Sequence, residues 1–390
     1  MKKLILFTLF TPAVLLLFGF IGWILSSHGA IGLFRFSIFL YILIFICVFG
    51  ITLIGLFLWY WRFNRSNKGT GGNRLYIFLF SASLICIALF SFGFSQFLDF
   101  SHAENIKPIP QLSLPHLDKD NLHFAVGSDA HFGTETSNTT QTLAMLDQIS
   151  NPANKYDAFF FLGDLVEYGF KNNQWSEASQ AFTPVAAHVP IRFAPGNHDT
   201  LFGGISRYLN YCGQGTAESQ NNSDLWYRVD IGNVHFLVLD LEWSTETYTK
   251  DQADWLETQL KDIPEEDWKI IMSHGFYYSS GTTLHGWDWF DNPETITGLT
   301  PLFEKYGVDI VFSGHNHYLE FLQHSGVSYV VCGGFGGKLD PIATYLSPSS
   351  IWHQAGHYGF TEVNLIGNQI ILNFRDPDYA ILKSITIIKP

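Results

Sequence analysis

Between residues 123 and 317, five short apolar runs each close on a polar motif of glycine, aspartate, asparagine or histidine. Residues 123–127 lead into Asp129-Ala130-His131, residues 158–162 into Gly163-Asp164, and residues 191–194 into Gly196-Asn197-His198-Asp199. Residues 269–272 lead into Ser273-His274-Gly275, and residues 309–312 into Gly314-His315-Asn316-His317. Short apolar runs that stop at such boundaries read as strands buried on both faces. Stretches with helical patterning (140–149, 251–260 and 301–306) alternate with them, which is the signature of an α/β fold. In such a sheet a ligand site lies beyond the carboxyl ends of the strands, so one pocket can collect all five motifs. Later runs (225–231, 234–239, 328–331, 360–363, 369–374 and 384–388) read as pairs and hairpins. They suggest a second, more antiparallel sheet.

The first hundred residues are of another kind. Residues 4–25, 36–61 and 75–94 are apolar and contain no charged side chain, and each reaches the roughly 20 residues that a membrane-spanning helix needs. Lys2 and Lys3 before the first stretch also suit a signal peptide, but its apolar core is long and no small-x-small site follows. Arg62, Arg65, Lys68 and Arg74 crowd the link between the second and third stretches, against Arg35 alone between the first and second. The positive-inside rule then puts residues 62–74 in the cytoplasm and everything after Phe94 on the periplasmic or extracellular side of the cytoplasmic membrane. With nothing polar at mid-membrane, these spans read as an anchor rather than a transport path. The expected organisation is an anchor of three transmembrane helices over 1–100, a proline-bearing linker over 101–121 and a catalytic domain over 122–390.

Residues 1–100 hold seven basic side chains and one acid out of 22 and 35 in the whole chain, so 15 basic and 34 acidic residues remain, a formal charge of −19. A surface that negative repels polyphosphate backbones, so no nucleic-acid partner is expected. Cys212 and Cys332 are the cysteines beyond the apolar stretches. A disulfide in an oxidising compartment and two unpaired buried thiols both remain open for them.

The five motifs supply seven metal-ligand side chains and a spare histidine. Hydrolysis of a phosphate ester calls for a nucleophilic hydroxide, neutralised non-bridging oxygens and a proton for the leaving group, and two adjacent metals supply the first two. In Asp129-Ala130-His131, spacing of two on an extended segment points both ligands the same way. Asp164 on its glycine turn is the natural bridge between two ions, Asn197 offers a neutral amide oxygen, and His274, His315 and His317 complete the set.

Taken in this order, the motifs resemble the calcineurin-like metallophosphoesterase superfamily, which includes purple acid phosphatases, Ser/Thr phosphatases and several phosphodiesterases. The resemblance covers roughly residues 122–375, and every ligand position is filled. It implies a four-layer α/β/β/α sandwich. It assigns one ion to Asp129, His131, Asp164 and His317, and the other to Asp164, Asn197, His274 and His315. Divalent or trivalent Mn, Fe or Zn suit this mixed nitrogen and oxygen set. His198 would be the non-ligand general acid, oriented by a hydrogen bond from its other ring nitrogen to Asp199. Two departures narrow the subtype. Purple acid phosphatases carry a tyrosine three residues after the bridging aspartate, where this chain has Glu167, and Tyr168 comes one place late. That speaks against an iron–tyrosinate centre. Gly275 stands where related phosphodiesterases often have proline.

The expected function is therefore a membrane-anchored, dinuclear metal-dependent hydrolase of phosphomonoesters or phosphodiesters, lipid-linked esters included. The alternative is a catalytically silent receptor or scaffold that keeps the fold, which would be expected to lose ligands; none is missing. Rivals for the place of His274 are weaker: His235 lies mid-run and reads as structural, His285 follows a flexible stretch, and His188 precedes Pro190 in a loop. Gly333-Gly334-Phe335-Gly336-Gly337 reads as a tight turn rather than a phosphate loop, because it lacks the Gly-Lys-Ser/Thr ending. Phe276, Tyr277, Tyr278, Trp287 and Trp289 could wall a substrate pocket or pack the core. His353 and His357 could approach the metals, and Asp240 could orient a ligand or simply end a turn.

Overall fold

The computed structural model describes residues 107–114, 121–213, 223–284 and 287–389. The three apolar stretches and His285 lie outside these residues; among the described residues no helix is long and apolar enough to cross a membrane. The described part begins with strands and helices in alternation: β1 (Asn121–Gly127), α1 (Thr139–Ser150), β2 (Ala158–Phe161), α2 (Asn172–Ala186) and β3 (Ile191–Phe193). Two short helices, α3 (Asn197–Thr200) and α4 (Ile205–Tyr211), lead to β4 (Tyr227–Ile231), β5 (Val234–Val238), α5 (Lys250–Asp262) and β6 (Trp268–Met272). A small pair, β7 (Thr283–Leu284) and β8 (Trp287–Asp288), precedes α6 (Pro293–Tyr306) and β9 (Ile310–Ser313). The chain ends in β10 (Leu319–His324), β11 (Val327–Cys332), β12 (Ser350–Gln354), β13 (Phe360–Ile366), β14 (Gln369–Arg375) and β15 (Ile381–Ile388).

These strands form two large sheets, one in the order β15-β14-β13-β1-β2-β3 and the other in the order β12-β10-β11-β9-β6-β5-β4. Strand β2 shows why they stack. Ala158 and Phe160 point into the core between the sheets, whereas Phe159 and Phe161 point into a second core under α1 and α2. All four are buried, since a strand covered on both faces has no polar side. Phe160 stacks on Phe236 of the facing sheet, ring centroids 4.5 Å apart. Phe161 meets Phe182 of α2 edge to face at 4.9 Å. On the far side, Leu256 and Leu260 of α5 and Leu299 and Phe303 of α6 cover Leu237, Ile271 and Val311. The layers are therefore α/β/β/α, as the resemblance implies.

One expectation needs correction. The second sheet is not the antiparallel one; both are mixed. Strands β1, β2 and β3 run parallel, as do β11, β9, β6 and β5, and antiparallel neighbours extend each set. Strands β13, β14 and β15 return to the first sheet, because the second edge of β1 needs a partner and β13 supplies it, from Asn121 opposite Ile366 to Val126 opposite Thr361. Helix α6 also starts eight residues earlier than its pattern suggested. Asn292 caps it by accepting from the N–H groups of Glu294 and Thr295, Pro293 occupies the first turn, and Gly307 ends it in the left-handed region at φ 63°. Part of the expected linker lies along the domain. Ile109 is buried and its N–H donates to the Tyr211 carbonyl at 3.1 Å, while Arg192 Nη1 donates to the Leu112 carbonyl at 3.1 Å. Ile109 and Leu114 have places in the cores, which holds this segment down.

Candidate metal centre

All five motifs lie at the carboxyl ends of β1, β2, β3, β6 and β9, three strands from one sheet and two from the other. The seven expected ligands meet there. Asp164 Oδ2 lies 3.5 Å from His131 Nε2 and 3.3 Å from His274 Nε2. On one side of it, Asp129 Oδ1 is 3.6 Å from His131 Nε2 and 3.2 Å from His317 Nε2. On the other, Asn197 Oδ1 is 3.1 Å from His274 Nε2 and 3.0 Å from His315 Nδ1. Two groups of four donors thus share one carboxylate oxygen.

The outer nitrogens of three rings are already committed. His131 Nδ1 is 2.9 Å from Glu167 Oε2, His274 Nδ1 is 2.8 Å from the Leu162 carbonyl, and His317 Nδ1 is 2.7 Å from the Lys338 carbonyl. Carbonyls and carboxylates only accept, so each Nδ1 carries a proton and each Nε2 is the atom turned inward. The Nε2 atoms of His131 and His317 then face each other at 3.1 Å, and Asp129 Oδ1 is buried without a hydrogen-bond donor. Against burial, the carboxylates hold His131, His274 and His317 above the ordinary imidazole range; a donor set that attracts positive charge in this way fits two metal ions. His315 is held differently, with Nδ1 inward. Its ring lies between Trp289 (interplanar angle 2°, 5.4 Å) and Phe276 (7°, 5.5 Å), with Trp243 edge-on at 4.2 Å. Aromatic packing fixes this ligand, and its Nε2 has no hydrogen-bond partner.

Backbone strain marks the same place. Among the described residues, eight non-glycine residues have positive φ, and four of them are Asp129 (69°), His131 (50°), Asp164 (53°) and His315 (69°). Each costs about 1–3 kcal/mol, and such conformations gather where function over-determines the backbone. The glycine-rich turn packs against the centre: a Cβ on Gly337 would come within 2.7 Å of His131 Cδ2 and 3.0 Å of His317 Cε1. It is a tight turn beside the site, as its sequence suggested.

Burial opposes charge on Asp129 and Asp164, yet His274 and the neighbouring histidines hold both carboxyls below their ordinary range. Burial, with His274 next, keeps His315 neutral. The pocket therefore presents anionic oxygens beside one neutral imidazole.

His198 also converges with His131 and Asp164 within 4.8 Å, so proximity does not separate it from the ligands. Its bonding does. Both groups have four donors without it, and its ring, 26% exposed, donates from Nδ1 to the Glu167 carbonyl at 2.7 Å. The expectation for Asp199 is corrected here. Its carboxylate does not orient His198; it accepts from the backbone N–H groups of Asp164 (2.8 Å), Gly196 (3.1 Å) and Val166 (3.2 Å). It ties the second and third motifs together, because those N–H groups need an acceptor away from water. Burial and the charge of Asp164 push the Asp199 carboxyl up to about 7.

The remaining candidates separate cleanly. His235 bonds Asp230 and Asp267 and is structural. His188 follows α2, its N–H bonded to the Val185 carbonyl at 2.9 Å, and is not among the grouped metal-ligand side chains. His353 packs on the Tyr318 ring at 4.6 Å, and neither it nor His357 is among the grouped metal-ligand side chains. Asp240 lies two residues beyond β5 with its Oδ1 buried and unpartnered. Tyr277 is core, and Tyr278 stacks on His324 at 4.3 Å. Cys212 and Cys332 are buried free thiols. Sequence reading missed Trp243 and the positioning role of Glu167; for the latter a signal existed, since it follows Asp164 by three residues on the same turn.

Proteins similar to this chain are phosphatases and phosphodiesterases. A nucleotide pyrophosphatase/phosphodiesterase of barley (Hordeum vulgare) is 26% identical over 280 residues, covering 63% of this chain and 76% of the relative. Purple acid phosphatase 18 of Arabidopsis thaliana is 25% identical over 264 residues, covering 63% of this chain and 57% of the relative. The structure of a purple acid phosphatase from yellow lupin (Lupinus luteus) seeds shares the fold, with TM-score 0.60 and 20% identity over 70% of this chain and 55% of that one. The calcineurin-like phosphoesterase family matches residues 122–319, more than half of the sequence, and the chain belongs to that family of metal-dependent phosphoesterases.

Proposed function

We propose that this protein is a membrane-anchored phosphoester hydrolase working at the outer face of the cytoplasmic membrane, on a phosphomonoester or phosphodiester that can be lipid-linked. The observation that carries the reading is Asp164 Oδ2, within 3.5 Å of one nitrogen from each ligand group. Two metal ions in these groups would supply a water-derived nucleophile at neutral pH and would neutralise the oxygens of the phosphate.

The other roles fall to the chain. Asp129 and Asp164 stay ionised and bind. Glu167 acts at two points: its carboxylate fixes the ring of His131 and its carbonyl fixes Nδ1 of His198. That leaves His198 Nε2 as the atom that gives a proton to the leaving group. The backbone N–H of His198 donates to Asp164 Oδ1 at 2.9 Å, which ties the acid to the carboxylate shared by the two donor groups. Asp199 keeps the loops that bear Asp164 and Asn197 in register.

The test is hydrolysis of p-nitrophenyl phosphate and bis-p-nitrophenyl phosphate by the full chain in detergent, with Mn, Fe or Zn added and Asp164→Asn as control. Turnover that vanishes in the control supports the enzyme, and the preferred ester separates monoesterase from diesterase. Failure to bind metal at all would sink the reading in favour of a silent scaffold.

A further inference from the structure

The segment that leaves the metal centre is built inside out. The Lys338 carbonyl and Asp340 Oδ2 accept from Nδ1 and the backbone N–H of His317, at 2.7 and 2.8 Å. Immediately beyond, the polar side chains turn inward. Tyr345 OH and Ser347 Oγ donate to the Asp291 carboxylate at 2.6 and 2.9 Å, and Ser350 Oγ donates to buried Glu320 at 2.6 Å. The aliphatic side chains turn outward instead. Ile342, Leu346 and Ile351 are 83%, 64% and 57% exposed, and they line one hollow of about 420 Å³ with Trp352. Hydroxyls tied down under a frame of outward isoleucine and leucine make a fixed apolar surface, not a frayed loop.

Two features of the chain say what this surface meets. Residues 341–354 contain no Asp, Glu, Lys or Arg, in a domain of otherwise strongly negative charge. Carboxylates are repelled by anionic headgroups, whereas an uncharged stretch that turns isoleucine and leucine outward is suited to a bilayer interface. The distance is also bounded. Twelve residues, 95–106, separate the last apolar stretch from Lys107, where the described domain starts, and such a segment cannot span more than about 45 Å.

We propose that residues 341–354 are a lipid contact, with Ile342, Leu346 and Ile351 entering the outer leaflet of the membrane and bringing the metal centre to its surface. The proposal rests on the reading of residues 1–100 as a membrane anchor. It is tested with the full chain in phosphatidylcholine vesicles that contain a phosphatidylcholine with a photoactivatable acyl chain, labelled peptides being mapped by mass spectrometry. Label is expected in residues 341–354 as well as within 4–94. The triple variant Ile342→Ser, Leu346→Ser, Ile351→Ser should lose at least about tenfold of the loop label. It should keep the label within 4–94 and, as evidence of folding, its metal content. A labelled anchor with a bare loop overturns the proposal and spares the anchor. Absence of label from both overturns the proposal and the anchor reading together. Cross-linking of residues 341–354 to a second copy of the chain in place of lipid overturns it too, and makes the patch a protein interface.

Discussion

The Nε2 atoms of His131 and His317 stand 3.1 Å apart, each on a ring whose Nδ1 already donates outward. Asp129 lies against both nitrogens, and against burial the neighbouring carboxylates hold both imidazoles above their ordinary range, so this position favours a positive charge. Metal removal should therefore destabilise the domain. A hundredfold excess of metal over its dissociation constant is worth about 2.7 kcal/mol, or about 5–10 °C in Tm for a domain of this size. Chelation followed by calorimetry, with Mn, Fe or Zn added back, checks this; an unchanged Tm would count against a metal centre.

His198→Ala should keep both ions and lose about 100- to 10,000-fold in kcat, the usual worth of a positioned acid. Metal analysis beside steady-state kinetics separates the roles. Loss of an ion in this variant would make His198 a ligand.

Glu167→Ala removes the acceptor of the His131 ring but leaves the carbonyl that holds His198. The affinity of one ion should fall about 10- to 100-fold while the other is retained. Stoichiometric metal titration reads this directly, and equal weakening of both ions would contradict the assignment of His131 to one group.

Glu320 lies apart from the ligands, fully buried, and burial pushes its carboxyl from the ordinary 4.5 up to about 7. A carboxyl whose folded pKa is raised contributes stability that is present below about 4.5 and lost as pH rises through about 7. At 1.36 kcal/mol per pH unit this spread is worth about 3 kcal/mol. Glu320→Gln should therefore flatten the fall in stability between pH 4.5 and 7 by about that amount in denaturant unfolding. An unchanged slope would show that Glu320 is not the group responsible.

Much of the centre could be read from the chain because each ligand sits two to four residues beyond a buried strand, and strand ends converge in an α/β sheet. What escaped was of another physical kind. Helix α2 carries Asn172, Gln174 and Ser179 on its buried side beside Trp175 and Phe182, which blurs the helical pattern. The contacts of Asp199 are to backbone N–H groups, which no side-chain motif announces. Trp243 reaches His315 from a loop 72 positions earlier, a distance that spacing cannot bridge.

By itself the sequence determined which side chains would meet and at which ends of which strands, since the two-residue period of a buried strand and the turn after it are local. Only the tertiary structure decided how they are oriented. Which nitrogen of each histidine faces the metals depends on what its other nitrogen finds, and those partners, a carboxylate, two carbonyls and a sandwich of aromatic rings, come from distant parts of the chain.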